Sequence, residues 1–90
     1  VKRAEILAEA ERLISTDRAD QYGDAFDTHR RIGRMWGAIL GLPLPVQAHE
    51  VALCMDAVKT IRAAKNPDYE DSWVDKAGYS ALGGEMVGNE

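Results

Sequence analysis

The sequence predicts an all-α fold, a compact four-helix bundle, on three observations. Four stretches repeat apolar residues at helical spacing, no segment alternates as a strand would, and the breaks between stretches are Gly41-Leu-Pro-Leu-Pro45 and Asn66-Pro67-Asp68, which stop helices. Ninety residues make a single domain, 1–90, with no internal repeat or linker to divide it. A core of that size is often marginal alone, so a homo-oligomer is expected.

The first helix, about Lys2 to Ser15, lines up Ile6, Leu7, Ala10, Leu13 and Ile14, and turns Glu5, Glu9 and Arg12 away. A polar loop, Asp17 to Asp24, follows; Gly23 can take a positive φ there, and Asp24 is placed to cap the next helix. That second helix, about Ala25 to Leu40, gathers Ile32, Met35, Trp36, Ile39 and Leu40 on one side, and His29 interrupts the apolar face beside Trp36 and Leu40. Gly41 suits its C-terminal cap, and two prolines cannot continue it.

The third helix, about Val46 to Lys65, should bury Val51, Cys54, Met55, Val58 and Ile61. Glu50 projects between Ala57 and Ile61, and Arg62 between Val51 and Met55, while His49, Asp56 and Thr60 share the solvated arc. Glu50, rather than Asp56, is therefore the carboxylate expected to have a task. In the fourth helix, from about Ser72, Asp71 and Asp75 fall beside Gly78 and Leu82, with Glu85 near the same line, and Lys76, Ser80 and Ser72 fill the opposite arc. Carboxylates bordering a core need a cation, a set of donors or a metal to offset desolvation.

Composition narrows the partners. Fifteen acidic against eleven basic residues give a net charge of −4 with no basic run, which counts against binding duplex nucleic acid through its phosphates. No apolar run approaches the ~20 residues that span a bilayer, so a soluble, cytoplasmic protein is expected. One cysteine, Cys54, excludes an intramolecular disulfide framework and is expected in the core. No serine or cysteine has a discernible base partner, so nucleophilic catalysis has no support.

Four segments in order carry a resemblance: Arg18-Ala-Asp-Gln-Tyr-Gly-Asp24, Arg31-Ile-Gly-Arg-Met-Trp36, Val51-Ala-Leu-Cys-Met55 with Lys59 and Arg62, and Asp71-Ser-Trp-Val-Asp-Lys-Ala-Gly-Tyr79. Over about residues 5 to 85 the chain resembles a family of small uncharacterised phage and prophage proteins, for which host cytoplasm would be the compartment. That family is in turn similar to MazG-like all-α nucleoside triphosphate pyrophosphohydrolases and to a nucleotide modification associated domain. The more distant resemblance implies a bundle, usually dimeric or larger, in which acidic residues on two helices hold Mg²⁺ against a nucleotide's phosphates. It implies Asp71 and Asp75 as the later acidic pair and Glu50 as the earlier ligand. The chain departs from the enzymes' Glu-x-x-Glu and Glu-x-x-Asp pattern, since Leu53 stands three residues past Glu50 and the later pair is spaced by four.

Around those carboxylates, Lys59 and Arg62 are candidates to contact phosphates, Arg18 and Tyr22 to shape a loop over a ligand, and Trp73 to stack on a base. Each has a plainer alternative. Ser72-Trp-Val-Asp75 has the shape of a capping box, Glu50 suits the dipole at its helix start, and Arg62 could simply pair with Glu50, Asp71 or Asp75. Trp73 and Trp36 could be core residues, and a turn built on Asp and Gly needs no ligand. The leading expectation is a Mg²⁺-dependent nucleotide-binding protein of phage type, with pyrophosphohydrolase activity as its enzymatic form. The alternatives are a non-catalytic nucleotide-binding module and a helical protein-interaction module without a small-molecule ligand.

Overall fold

Residues 1–17 and 24–89, described by a computed structural model, contain four α-helices and no strand. Helix α1 is Arg3–Arg12 and runs on as a π-helical turn, Leu13–Asp17. Helix α2 is Ala25–Leu40, α3 is Ala48–Lys65, and α4 is Glu70–Met86, closing in a 3₁₀ turn at Val87–Asn89. The all-α expectation holds. Arg18, Tyr22 and the turn at Gly23 lie outside the described residues.

Local chemistry sets the helix ends. Asp24 Oδ1 accepts from the Phe26 N–H at 3.2 Å, giving one of the free donors at the start of α2 a partner. Gly41 ends that helix at φ 67, a left-handed conformation that glycine adopts without steric cost. The chain then doubles back along α2, and the Val46 N–H donates to the Gly33 carbonyl at 3.1 Å. A Cβ at Gly33 would sit 1.9 Å from the Val46 carbonyl oxygen, so only glycine lets the strap lie this close. A capping box opens α3, with the Gln47 side chain accepting from the Glu50 N–H and Glu50 Oε1 accepting from the Gln47 N–H at 2.9 Å.

The most extensive packing joins α3 and α4 as an antiparallel hairpin. Small residues make it close: a Cβ on Gly83 would meet the Ala52 Cβ at 3.2 Å, and Ala48, Ala52 and Ala63 are all buried. Helix α1 lies across α4, where Gly78 admits Ile14. Helix α2 rests mainly on α3, burying His29, Gly33 and Gly37.

The apolar stripes expected to form the core do so only in part. In α2 the buried line runs through His29, Gly33 and Gly37, about a quarter turn from the expected face. Met35 is consequently 60% exposed and Ile39 71% exposed, with Leu40 also outside and Ile32 and Trp36 half-buried. In α3 Val51 is buried as expected and Met55 half-buried, but Cys54, Val58 and Ile61 are exposed. The cause is common to both helices: glycine and alanine faces let backbones approach, and the bulky faces are left on the far side. Among the described residues, only Val51 of the large apolar side chains is fully withdrawn from solvent.

Candidate functional site at the head of the last helix

Helix α4 begins at Glu70 after the N-cap Tyr69, which makes no side-chain cap. Asp75 therefore lies beyond the first turn, where neither capping nor the helix dipole accounts for it. The Ser72–Asp75 capping box does not form, and Ser72, expected on the solvated arc, is buried. Asp75 does border the core as the sequence required, with its side chain 18% exposed, and its Oδ2 lies 3.0 Å from Lys59 Nζ. Lys59 is itself only 15% exposed on its side chain, so each charge offsets the other's desolvation.

One turn before Asp75, Asp71 is exposed and its Oδ2 accepts a hydrogen bond from the Tyr69 hydroxyl at 3.1 Å. Tyr69 connects the cluster electrostatically. Its phenol is held above its ordinary pKa, first by the hydrogen bond to Asp71 and by that carboxylate's charge, then by slight desolvation and by Asp75, with Arg62 acting in the opposite direction. Arg62 therefore belongs to this neighbourhood, one turn along α3 from Lys59. Trp73 Nε1 donates to the Pro67 carbonyl at 3.0 Å, fixing the indole to the α3–α4 connection while 43% of the residue stays open. Trp73 is thus not a core residue.

Glu50 stands apart from this cluster. Nine residues separate it from Lys59 along α3, or roughly 13 Å of helix axis, and its carboxylate is occupied by the capping box. The structure does not bring Glu50, Asp71 and Asp75 together, and among the described residues no group of three His, Cys, Asp or Glu is placed to hold a metal ion. The donor set left for a divalent cation is Asp71 and Asp75. That pair suits Mg²⁺, which is commonly held by one or two carboxylates while waters and phosphate oxygens complete its shell.

Asp56, passed over in favour of Glu50, proves to be the interhelical carboxylate. Its Oδ1 accepts from Lys76 Nζ at 2.8 Å, and the same ammonium donates to the Thr60 hydroxyl. Periodicity alone placed Asp56, Thr60 and Lys76 on solvated arcs, because those arcs flank the small-residue faces through which α3 and α4 meet. The spacing of Ala48, Ala52, Gly78 and Gly83 was the signal that could have revealed this.

His29 is an interior histidine, as its apolar surroundings suggested. Its Nδ1–H donates to the Ala25 carbonyl at 2.8 Å, its ring tilts against Tyr79 with centroids 6.3 Å apart, and its buried Nε2 has no hydrogen-bond partner among the described residues. Cys54, expected in the core, is exposed. No helix among the described residues is long and apolar enough to cross a membrane.

Comparison with known proteins gives two findings. The family described as "Domain of unknown function (DUF6378)" matches residues 5–87. The "Gene 55 protein" of Mycobacterium phage L5 is 38% identical over 77 residues, an alignment covering 86% of this chain and 49% of that protein, so the chain spans about half the length of its relative. No solved structure matches.

Proposed function

The chain belongs to the DUF6378 family, and from the charged cluster around Tyr69 we propose that this domain binds a phosphorylated small molecule, a nucleotide by its resemblance to MazG-like proteins, with Mg²⁺. The observation that supports the reading is that Asp71, bonded to the Tyr69 hydroxyl, shares the surroundings of that phenol with Asp75 and Arg62, while Lys59 pairs with Asp75. Asp71 and Asp75 would hold the ion, which would supply the positive charge that draws phosphate oxygens to an otherwise acidic face. Lys59 and Arg62 add cations on the neighbouring helix, and guanidinium forks suit phosphate oxygens. Trp73, pinned by its N–H and partly open, offers a surface on which a base can stack.

Binding without turnover is the form proposed here. Glu50 is committed to a helix cap some 13 Å along the axis, and Leu53 supplies no ligand, so the earlier helix contributes no carboxylate to the cluster. The deciding experiment is thermal melting with Mg²⁺ alone and then with a panel of nucleotides, followed by an assay for released pyrophosphate. A ligand at about 100 times its dissociation constant should add ~2.7 kcal/mol to folding stability. Stabilisation that needs both metal and nucleotide supports the reading, and pyrophosphate release would extend it to hydrolysis. No shift with any nucleotide overturns it.

The second reading, a helical interaction module, is favoured by a separate observation. Met35, Ile39 and Leu40 on α2 and Leu53, Val58 and Ile61 on α3 are large apolar side chains held outside the fold. Under that reading the Lys59–Asp75 and Lys76–Asp56 pairs are structural, and melting is indifferent to Mg²⁺ and nucleotides alike.

A further inference from the structure

We propose that the groove between α2 and the strap that follows it is a docking site for an acidic segment of a partner protein. Phe26, Arg30 and Arg34 wall one side and Leu44, Pro45 and Val46 the other, around a space of about 360 Å³. Gly33 and Gly37 set its width, since their missing side chains let Val46 and Pro45 rest on the α2 backbone. The groove reaches the start of α3 at Ala48, the far end of that helix from Lys59 and Arg62.

Charge identifies the occupant. Neither Arg30 nor Arg34 has an ion-pair partner among the described residues, although the whole chain carries a net charge of −4. The acids nearest in sequence are engaged elsewhere: Asp24 caps α2, Asp27 pairs with Arg31, and Glu50 is held in the capping box of α3. The Arg30 guanidinium lies over the Phe26 ring, 4.4 Å from its centroid, which restrains the cation and leaves its N–H edge for a carboxylate. Four residues separate the two arginines, about 6 Å of helix axis. Carboxylates match that spacing when they stand two residues apart in an extended segment, or one turn apart on a helix. An apolar side chain of the same segment packs against Leu44, which is 75% exposed at the rim, and Val46. A free small anion suits the groove less, because both arginines, Leu44 and Pro45 are exposed, whereas small-molecule sites bury most of their ligand. A protein segment gains further contact along that open rim, and arginine beside apolar side chains is the composition on which such contacts concentrate.

The test is fluorescence anisotropy with labelled Gly/Ser peptides of about twelve residues, each carrying one leucine and two glutamates spaced by two, three or four residues. At least one spacing should bind the unaltered chain with a dissociation constant below about 100 micromolar. Its glutamine counterpart should bind at least tenfold more weakly, as should the glutamate peptide to Arg30→Gln/Arg34→Gln. Arg31→Gln, which alters an exposed arginine outside the groove, should change affinity less than twofold. Should the double variant fail to fold, Leu44→Asp at the exposed rim decides in its place, with the same tenfold loss expected. No binding of any glutamate peptide at 1 millimolar, equal binding of the glutamine counterpart, or an equal loss in Arg31→Gln overturns the proposal. Tighter binding of labelled oligothymidylate than of every peptide would assign the groove to nucleic acid and overturn it as well. Neither Mg²⁺ nor a free nucleotide enters these measurements, so they stand or fall apart from the ligand reading at Tyr69.

Discussion

Lys59 and Asp75 meet at 3.0 Å between α3 and α4, each with more than four-fifths of its side chain withdrawn from solvent. Neither charge is well hydrated, so each depends on the other. Lys59→Met should destabilise the domain by about 1–3 kcal/mol by leaving Asp75 incompletely solvated. Asp75→Asn, which keeps the shape, should cost less. A double-mutant cycle in urea should give a coupling above about 0.5 kcal/mol; additivity would show that the two groups do not interact in solution.

Asp71 separates structure from ligand binding. Its carboxylate is exposed and accepts the Tyr69 hydroxyl, so Asp71→Asn should move stability by less than about 0.5 kcal/mol. Metal-dependent nucleotide affinity should fall at least tenfold, as it should in Asp75→Asn. An affinity unchanged in both variants, measured by calorimetry in Mg²⁺, removes the carboxylate pair from any binding role.

The same variant has a pH signature. Asp71 raises the Tyr69 pKa by disfavouring the phenolate, so in Asp71→Asn the phenol should ionise at lower pH than in the unaltered chain. A raised pKa in the folded state means that the associated stability is present below the ordinary tyrosine value and is lost as pH climbs through the folded one. Ultraviolet titration of the phenolate, with Tyr79 replaced by phenylalanine to simplify the signal, measures the shift directly. Identical titration curves would refute the Tyr69–Asp71 contact.

Glu50 should behave as a cap. Glu50→Ala should lower stability by about 0.5–1 kcal/mol through loss of half the capping box, and leave metal-dependent binding untouched. A loss of Mg²⁺ dependence in that variant would return Glu50 to the ligand set.

The glycines provide a test of packing. Gly33→Ala forces a methyl to 1.9 Å from the Val46 carbonyl oxygen and should cost about 2 kcal/mol or more as the strap is pushed away. Gly84→Ala meets nothing within 4 Å and lies inside α4, so it should be neutral or stabilise by up to about 1 kcal/mol. Equal effects at the two positions would contradict the close approach at Gly33.

What the sequence disclosed follows from how local each signal was. Asp24, Gly41 and Asn66-Pro67 marked helix ends correctly because capping and chain reversal depend on neighbouring residues. The need of Asp75 for a compensating group was legible from its apolar flanks, and Lys59, one of the two cations the sequence offered, supplies one. Which face of α2 would be buried was not legible, because periodicity weighs apolar bulk and gives no credit to Gly33 and Gly37, whose merit is the absence of bulk. Glu50 was misplaced for another reason: its distance from Asp75 depends on the antiparallel register of α3 against α4, which no short window of sequence contains.

That register has its own safeguard. An interface of alanine and glycine has few knobs to lock into holes, and smooth helices can slide past one another with little change in buried area. Two ion pairs between α3 and α4 run in opposite senses: lysine from α3 meets aspartate from α4 at Lys59–Asp75, and aspartate from α3 meets lysine from α4 at Asp56–Lys76. A slide of one turn that carried Lys59 to Asp71 would set Asp56 opposite Ser72 and Lys76 opposite Ala52, parting the second pair and leaving the Lys76 charge against a buried alanine. The paired charges thus act as a two-tooth key, admitting one alignment of a hairpin whose smooth faces would otherwise accept several.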